Sequence, residues 1–313
     1  MRLTRIHTST KELDEKEHTW WNTNSDLIET IWANSYQIQK AIREPYLKRM
    51  KKFFLKDAKS LPVNILEVGC GTGWVCRLIA DKNFHVVGTD FSESQINRAK
   101  QESICFDKAE YCKYQLANAS TFDKEYDGVV IHAFLHHLTI DELAIFFNEF
   151  SKRRKETKVF VYEPVFYEPT QKAGVTEKIL NRSINLLKKI AFNRIEKTRP
   201  LNKSLLNQWK KIYDLAQEEG WYISPKEVPF YENEIHDYLN KYCTILDEYI
   251  VTHTDLDIAQ KLILHDVQSP SFFFTKFIFP IIQQLEKQFF KRNFRPFIYK
   301  NQHLFVCYEL IIK

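Results

Sequence analysis

Residues 64–90 read Asn64-Ile-Leu-Glu-Val-Gly-Cys-Gly-Thr-Gly-Trp-Val-Cys76-Arg-Leu-Ile-Ala-Asp-Lys-Asn-Phe-His-Val-Val-Gly-Thr-Asp90. The apolar run Ile65 to Val68 predicts a buried strand. Gly69, Gly71 and Gly73 follow it, and then Val75, Leu78 and Ile79 take up the spacing of one helical face. A second apolar run from His85 ends at Asp90. Strand, glycine-rich turn, helix, strand is a βαβ unit. Such a turn brings backbone N–H groups close to a ligand, and an acid closing the second strand can accept from two ribose hydroxyls. The unit is therefore expected to hold a nucleoside.

A dinucleotide site wants G-x-G-x-x-G, whose last glycine lets helix and strand pack closely. This chain has G-x-G-x-G with Trp74 next, which is too bulky for that role. The string Glu67-Val-Gly-Cys-Gly-Thr-Gly73, with Gly88-Thr-Asp90 downstream, resembles the S-adenosylmethionine motif of class I methyltransferases. The resemblance implies a doubly wound, seven-stranded, mostly parallel Rossmann-like α/β sheet with an antiparallel last strand. It implies S-adenosylmethionine as cofactor, held by Glu67, Gly69, Cys70, Gly71, Gly73, Asp90 and Phe91, with Asn118, Ala119 and His132 from later loops. Asn118 fits by chemistry as well, because its side-chain oxygen can accept from an adenine amino group. A plain solvated turn is the alternative there.

Working outward, Ser92 and Gln95 form a capping box for the next helix. Tyr111–Leu116 and Tyr126–His132 follow as strands three and four. Thr139 and Glu142 cap a helix whose Leu143, Phe146, Phe147 and Phe150 share a face. Lys158–Glu163 is strand five. Ligands of such sheets sit beyond the carboxyl ends of the strands, where His136, His137 and Glu163 fall. These three are the candidates for removing a proton from an acceptor, since His titrates near neutral pH. A structural role for the histidines stays open. The resemblance extends to Leu205–Glu219 with Gly220, to a strand six within Tyr222–Tyr231, and to His303–Lys313 as strand seven.

The expected organisation is an N-terminal arm and helical lid over 1–60, then a cofactor-binding core over 61–165, completed by 205–231 and 303–313. A basic helical insertion covers 166–204 and a helical cap covers 232–302. Thr23 and Asp26 suggest a helix start, and Pro45 a break. Trp20, Trp21, Trp32 and Tyr36 suit either a lid or plain core. From Lys172 to Lys211 there are eleven Lys/Arg against two Asp/Glu, net +9. That stretch, with Phe272 to Ile282, suggests either a packed roof over the pocket or a peripheral membrane contact.

The whole chain carries +5, which is too little to argue for nucleic acid, and its 44% hydrophobic and 27% charged residues are ordinary for a globular protein. Six cysteines without a C-x-x-C pair read as reduced thiols, and the polar N-terminus shows no signal-peptide pattern, so a cytoplasmic protein is expected. No His/Cys/Asp/Glu spacing argues for a metal. Strand four lacks the Asn/Asp-Pro-Pro-aromatic string of amine-methylating enzymes and a Pro-Cys nucleophile. O-methylation of a small or medium-sized acceptor is the expected reaction. RNA methylation and a cofactor-binding scaffold without turnover are the rivals. The sequence leaves the oligomeric state open.

Overall fold

The computed structural model describes residues 4–32, 36–119, 126–152, 155–166, 175–251, 254–267, 269–291 and 303–313. The glycine-bearing unit folds as expected. β1 (Val63–Val68) leads through the turn into α3 (Trp74–Ile79), and β2 (Phe84–Asp90) runs parallel to β1 with Glu67 opposite Gly88. Two helices precede it, α1 (Lys11–Trp32) and α2 (Tyr36–Leu55). After it come α4 (Glu93–Cys105), β3 (Cys112–Leu116), β4 (Gly128–His132), α5 (Ile140–Ser151) and β5 (Lys158–Phe166). Every residue of β4 is buried, as is nearly all of β5, the pattern of strands covered on both faces.

The rest of the chain gives α6 (Val175–Thr198), α7 (Lys203–Glu219), β6 (Phe230–Tyr231), α8 (Glu232–Tyr242), β7 (Cys243–Val251), α9 (Thr254–Leu264), α10 (Phe279–Lys291) and β8 (His303–Ile312). The sheet order is β3-β2-β1-β4-β5-β8-β7, with β6 beside the end of β5. The described residues thus hold eight strands where seven were expected. β8 is antiparallel to both β5 and β7.

Strand six needs correction. Within 222–231 only Phe230 and Tyr231 pair, with Val165 and Phe166. The full-length sixth strand is β7, inside the segment expected to be a helical cap. Its alternation is blurred because it lies at the sheet edge, where Thr244, Leu246 and Asp247 are exposed, and a register shift falls between Ile245 and Asp247. α8 also runs straight into it without a glycine or proline to mark the change. α7, which resembles a core helix in sequence, belongs instead to a separate helical cluster with α9, while α8 buries Ile235 and Leu239 on the sheet.

The N-terminal region differs too. Thr10, not Thr23, starts α1: its hydroxyl accepts from Leu13 N at 3.2 Å. Residues 4–10 are docked rather than a free arm. Ile140 N and Asp141 N donate to the carbonyls of Ile6 and His7, and Arg5 reaches Glu234 at 2.6 Å. Pro45 lies within α2 and does not end it. An internal proline costs a helix ~3 kcal/mol. Burial of Ile38, Ile42, Tyr46, Leu47, Met50, Phe53 and Phe54 along the same rod outweighs that, at roughly 1.5–3 kcal/mol per side chain.

Hydrophobic clusters lie on the two faces of the sheet, one led by Ile65, Val86 and Phe160, the other by Leu66, Ile131 and Phe146. A third joins α6, α7, α9 and α10 to the first half of α2. None of the described helices is long and apolar enough to cross a membrane.

Candidate active site

The glycine turn is built by sterics. Gly69 and Gly73 have φ of +67° and +72°, a region costly for residues with a Cβ. A Cβ on Gly69 would lie 2.2 Å from the Phe134 ring, and one on Gly73 would lie 2.5 Å from Tyr114. Gly71 faces more open space, with only Gln95 Oε1 near, at 3.7 Å. Asp90, 9% exposed, clamps the turn: Gly71 N donates to its Oδ2 at 2.8 Å and Ser92 N to its Oδ1 at 2.9 Å. Burial raises the Asp90 carboxyl above its ordinary range, against the pull of those N–H groups. Glu67 sits at the end of β1, almost fully buried, and accepts from the Cys76 thiol at 2.7 Å. Burial pushes its carboxyl up to about 8.

α1 lies across this turn. Asn22 Oδ1 accepts from Ser92 Oγ at 2.7 Å, Gln95 Nε2 donates to the Trp21 carbonyl, and His18 faces the ring of Phe91. Trp20 and Trp21 are half-buried, and Trp21 meets His137 edge-on at 5.1 Å. The side chains of Trp32 and Tyr36 fall outside the described residues. Of the other expected cofactor contacts, Cys70 is buried, Phe91 and Ala119 are half-buried, and Asn118 is exposed on the loop after β3.

His132 sits in an aromatic cluster. It stacks on Tyr162 at 4.1 Å between ring centroids and lies edge-on to Trp74 at 5.1 Å. Arg43 Nη1 is 3.4 Å and Tyr46 Oη 3.2 Å from its Nε2. Burial, helped by the Arg43 charge, drives the ring far below the usual imidazole range, so it is neutral. Arg43 and Tyr46 carry no local sequence signal for this cluster, because α2 brings them in from far along the chain.

After β4 the chain makes a 3-10 turn, Leu135–His137. Glu163 organises it: its Oε1 accepts from Phe134 N at 2.8 Å and Leu135 N at 2.7 Å, and its Oε2 meets His136 Nδ1 at 2.6 Å. His136 Nε2 faces Glu227 Oε1 at 3.5 Å. Burial disfavours charge on this ring, but Glu163 and Glu227 outweigh it and raise it to about 9. His137 is half-buried, with Glu17 Oε1 at 3.4 Å and Ser224 Oγ at 3.3 Å from Nδ1. Glu17 also accepts from Trp21 Nε1 and Lys226 N, tying α1 to the segment before β6. Glu17, Ser224 and Glu227 were not among the expected site residues. They sit far from the 3-10 turn in sequence and carry no motif of their own.

Residues 65–156 match the family described as "Methyltransferase domain". Over this segment the chain is similar to methyltransferase domains. YqeM of Bacillus subtilis (strain 168), which carries a provisional methyltransferase name, is 33% identical to the chain over 67 residues. That match spans 21% of this chain and about a quarter (27%) of the relative. The chain shares a fold with magnesium protoporphyrin IX methyltransferase (ChlM) from Synechocystis PCC 6803, crystallised with bound SAH. The TM-score is 0.51 at 12% identity, over 97% of this chain and 100% of that one. The cyclase SpnF gives 0.52 at 12% identity, over 99% and 98%. At such identities the likeness is one of fold, and a fold can host more than one activity.

Proposed function

We propose that the chain is an S-adenosylmethionine-dependent methyltransferase acting on an oxygen of a small or medium-sized acceptor. The observation that carries this is the Asp90 clamp on a turn of left-handed glycines at the carboxyl end of β1. The residues fit the cofactor. Asp90 keeps lone pairs for ribose hydroxyls beyond its two N–H partners. Gly71 leaves room on its open side, where Gln95 Oε1 is buried with no hydrogen-bond partner among the described residues. Glu67, raised by burial, would be returned to its ionised form by a cofactor ammonium, a favourable exchange. The ligand in the Synechocystis structure supports the same reading.

When bound, the cofactor supplies an electrophilic methyl on a sulfonium. The chain then has to align an acceptor and accept its proton. α1, with Trp20 and Trp21, covers the site from the lid side. His137 is the more accessible ring, and His136 is held by Glu163 behind it. The role in proton removal therefore goes to the His137 side of the pair. His137→Ala should lower turnover by about 10² or more and leave cofactor affinity intact.

Calorimetry with S-adenosylhomocysteine tests the cofactor assignment. Asp90→Ala should weaken binding by about 1.5–3 kcal/mol, the range for a hydrogen bond to a charged group. A wild type that binds no better than the variant removes the basis of the proposal.

A second reading concerns acceptor delivery. α6 buries Ile184, Ala191 and Ile195 but leaves Val175, Ile179, Leu186 and Ile190 exposed among Lys178, Arg182 and Lys189. Phe272, Phe277 and Ile281 are exposed on the helical segment that runs into α10 and on α10 itself. An apolar stripe edged by cations suits an anionic membrane surface and a lipid-linked acceptor.

A further inference from the structure

His136, His137 and Glu227 bring three ligating atoms within 4.8 Å of one another. We propose that they form a binding site for a first-row divalent cation of the zinc type.

Four features support it. The first is spacing. Two ligands about 2.0–2.2 Å from a tetrahedral ion lie about 3.4 Å apart. His136 Nε2 and Glu227 Oε1 are 3.5 Å apart, close to that separation. The second is orientation. Glu163 Oε2 sits 2.6 Å from His136 Nδ1, so in the neutral ring, the form a cation would select, the proton stays on Nδ1 and the Nε2 lone pair faces Glu227. A carboxylate on the far nitrogen is the usual way a ligating histidine is held in its tautomer.

The third feature is charge. The carboxylates of Glu17, Glu163 and Glu227 converge on two imidazoles. The nearby Lys226 ammonium is committed to Asp14 at 2.9 Å and Glu142 at 2.5 Å, and Arg5 lies behind the turn on the His136 carbonyl. The fourth is burial: His136 is 4% and Glu227 9% exposed, which sets them apart from a solvated acidic surface. Two imidazole nitrogens and one carboxylate oxygen suit Zn²⁺, Co²⁺ or Fe²⁺ better than Mg²⁺ or Ca²⁺, which prefer all-oxygen shells. Three protein ligands leave a fourth position for water or an acceptor oxygen. His137 is close enough to Asp90 for its charge to act on that carboxyl, so the ion would lie beside the cofactor turn.

With an ion loaded, His137 would act on an acceptor through that ion rather than as a free base. Loading needs neither cofactor nor acceptor, so it can fail without touching the methyl-transfer reading.

The test uses the full chain, stripped with chelator and titrated with Co²⁺, then Zn²⁺. One equivalent of Co²⁺ per chain should produce visible d–d bands that Zn²⁺ abolishes and equal Mg²⁺ does not. Glu227→Gln and His137→Ala should each weaken loading at least 10-fold. Glu163→Gln is the sharper probe. Its Oε1 can still accept from Phe134 and Leu135, while its amide N–H turns toward Nδ1 and forces the proton onto Nε2. That should lower affinity about 10–100-fold, with S-adenosylhomocysteine binding serving as the control for folding. The alternative, a His136 imidazolium paired to both Glu163 and Glu227, predicts no cobalt spectrum in folded wild type, which overturns the proposal. Should the variants fail to fold, anomalous scattering from a Zn²⁺-soaked wild-type crystal decides. Density between the three side chains supports the site, and an ion elsewhere or none overturns it.

Discussion

At the scale of residues, the glycine turn makes a ranking that depends on surroundings more than on φ. All three glycines of the turn are left-handed, so any substitution there carries roughly 1–2 kcal/mol of strain. Gly69→Ala and Gly73→Ala add overlap with the Phe134 and Tyr114 rings, whereas Gly71→Ala meets nothing closer than Gln95 Oε1. Urea unfolding should place Gly71→Ala as the mildest of the three. Equal losses at all three positions would mean that strain alone sets the cost. These glycines and Asp90 were legible in the sequence because their function is local: one strand, one turn and the next strand hold the whole device. His136 and His137 were legible as candidates by their place after β4. Of their partners only Glu163 was legible, as the end of strand five; Glu17 arrives on α1 and Glu227 on the segment before β6, and no short-range pattern announces either.

Among the elements, α1 and α3 are joined by a buried ion pair, Arg77 Nη2 to Glu29 Oε1 at 2.9 Å, with both side chains fully buried. Burial raises the Glu29 carboxyl from 4.5 to about 6, with Arg77 pulling the other way. An acid whose folded value is raised binds its proton more tightly in the folded state. Its contribution therefore favours folding below about 4.5 and is lost as pH rises through 6. Glu29→Gln removes that dependence. Between pH 4.5 and 7.5 the variant should gain about 1.6 kcal/mol on wild type, most of what a shift of about 1.5 units carries. Urea midpoints of both proteins at the two pH values measure this. A variant that instead loses ground as pH rises would show that the Arg77 charge outweighs burial. Element identity was legible where capping and periodicity agree, as in α5, whose capping box forms at Thr139 and Glu142. It was lost in β7, an edge strand with polar outward positions, and in α2, where packing overrides the proline.

At the scale of the whole molecule, the apolar stripe of α6 and its basic border should act together on a lipid surface. The protein should sediment with anionic vesicles at low salt, stay in solution with neutral ones, and release at high salt. Cationic side chains near such a surface contribute about 1 kcal/mol each. Lys178→Glu, Arg182→Glu and Lys189→Glu combined should abolish sedimentation, and a triple variant that still sediments would exclude the electrostatic contact. One further consequence follows from α2. Its first half, Ile38 and Ile42, belongs to the helical cluster, and its second half, Tyr46 to Phe54, to the cluster under the sheet. Gln283 of α10 reaches the Ile42 carbonyl, just before the proline. A rod shared by two cores leaves neither free to melt alone, so heating should give one cooperative calorimetric transition, with the calorimetric and van't Hoff enthalpies equal.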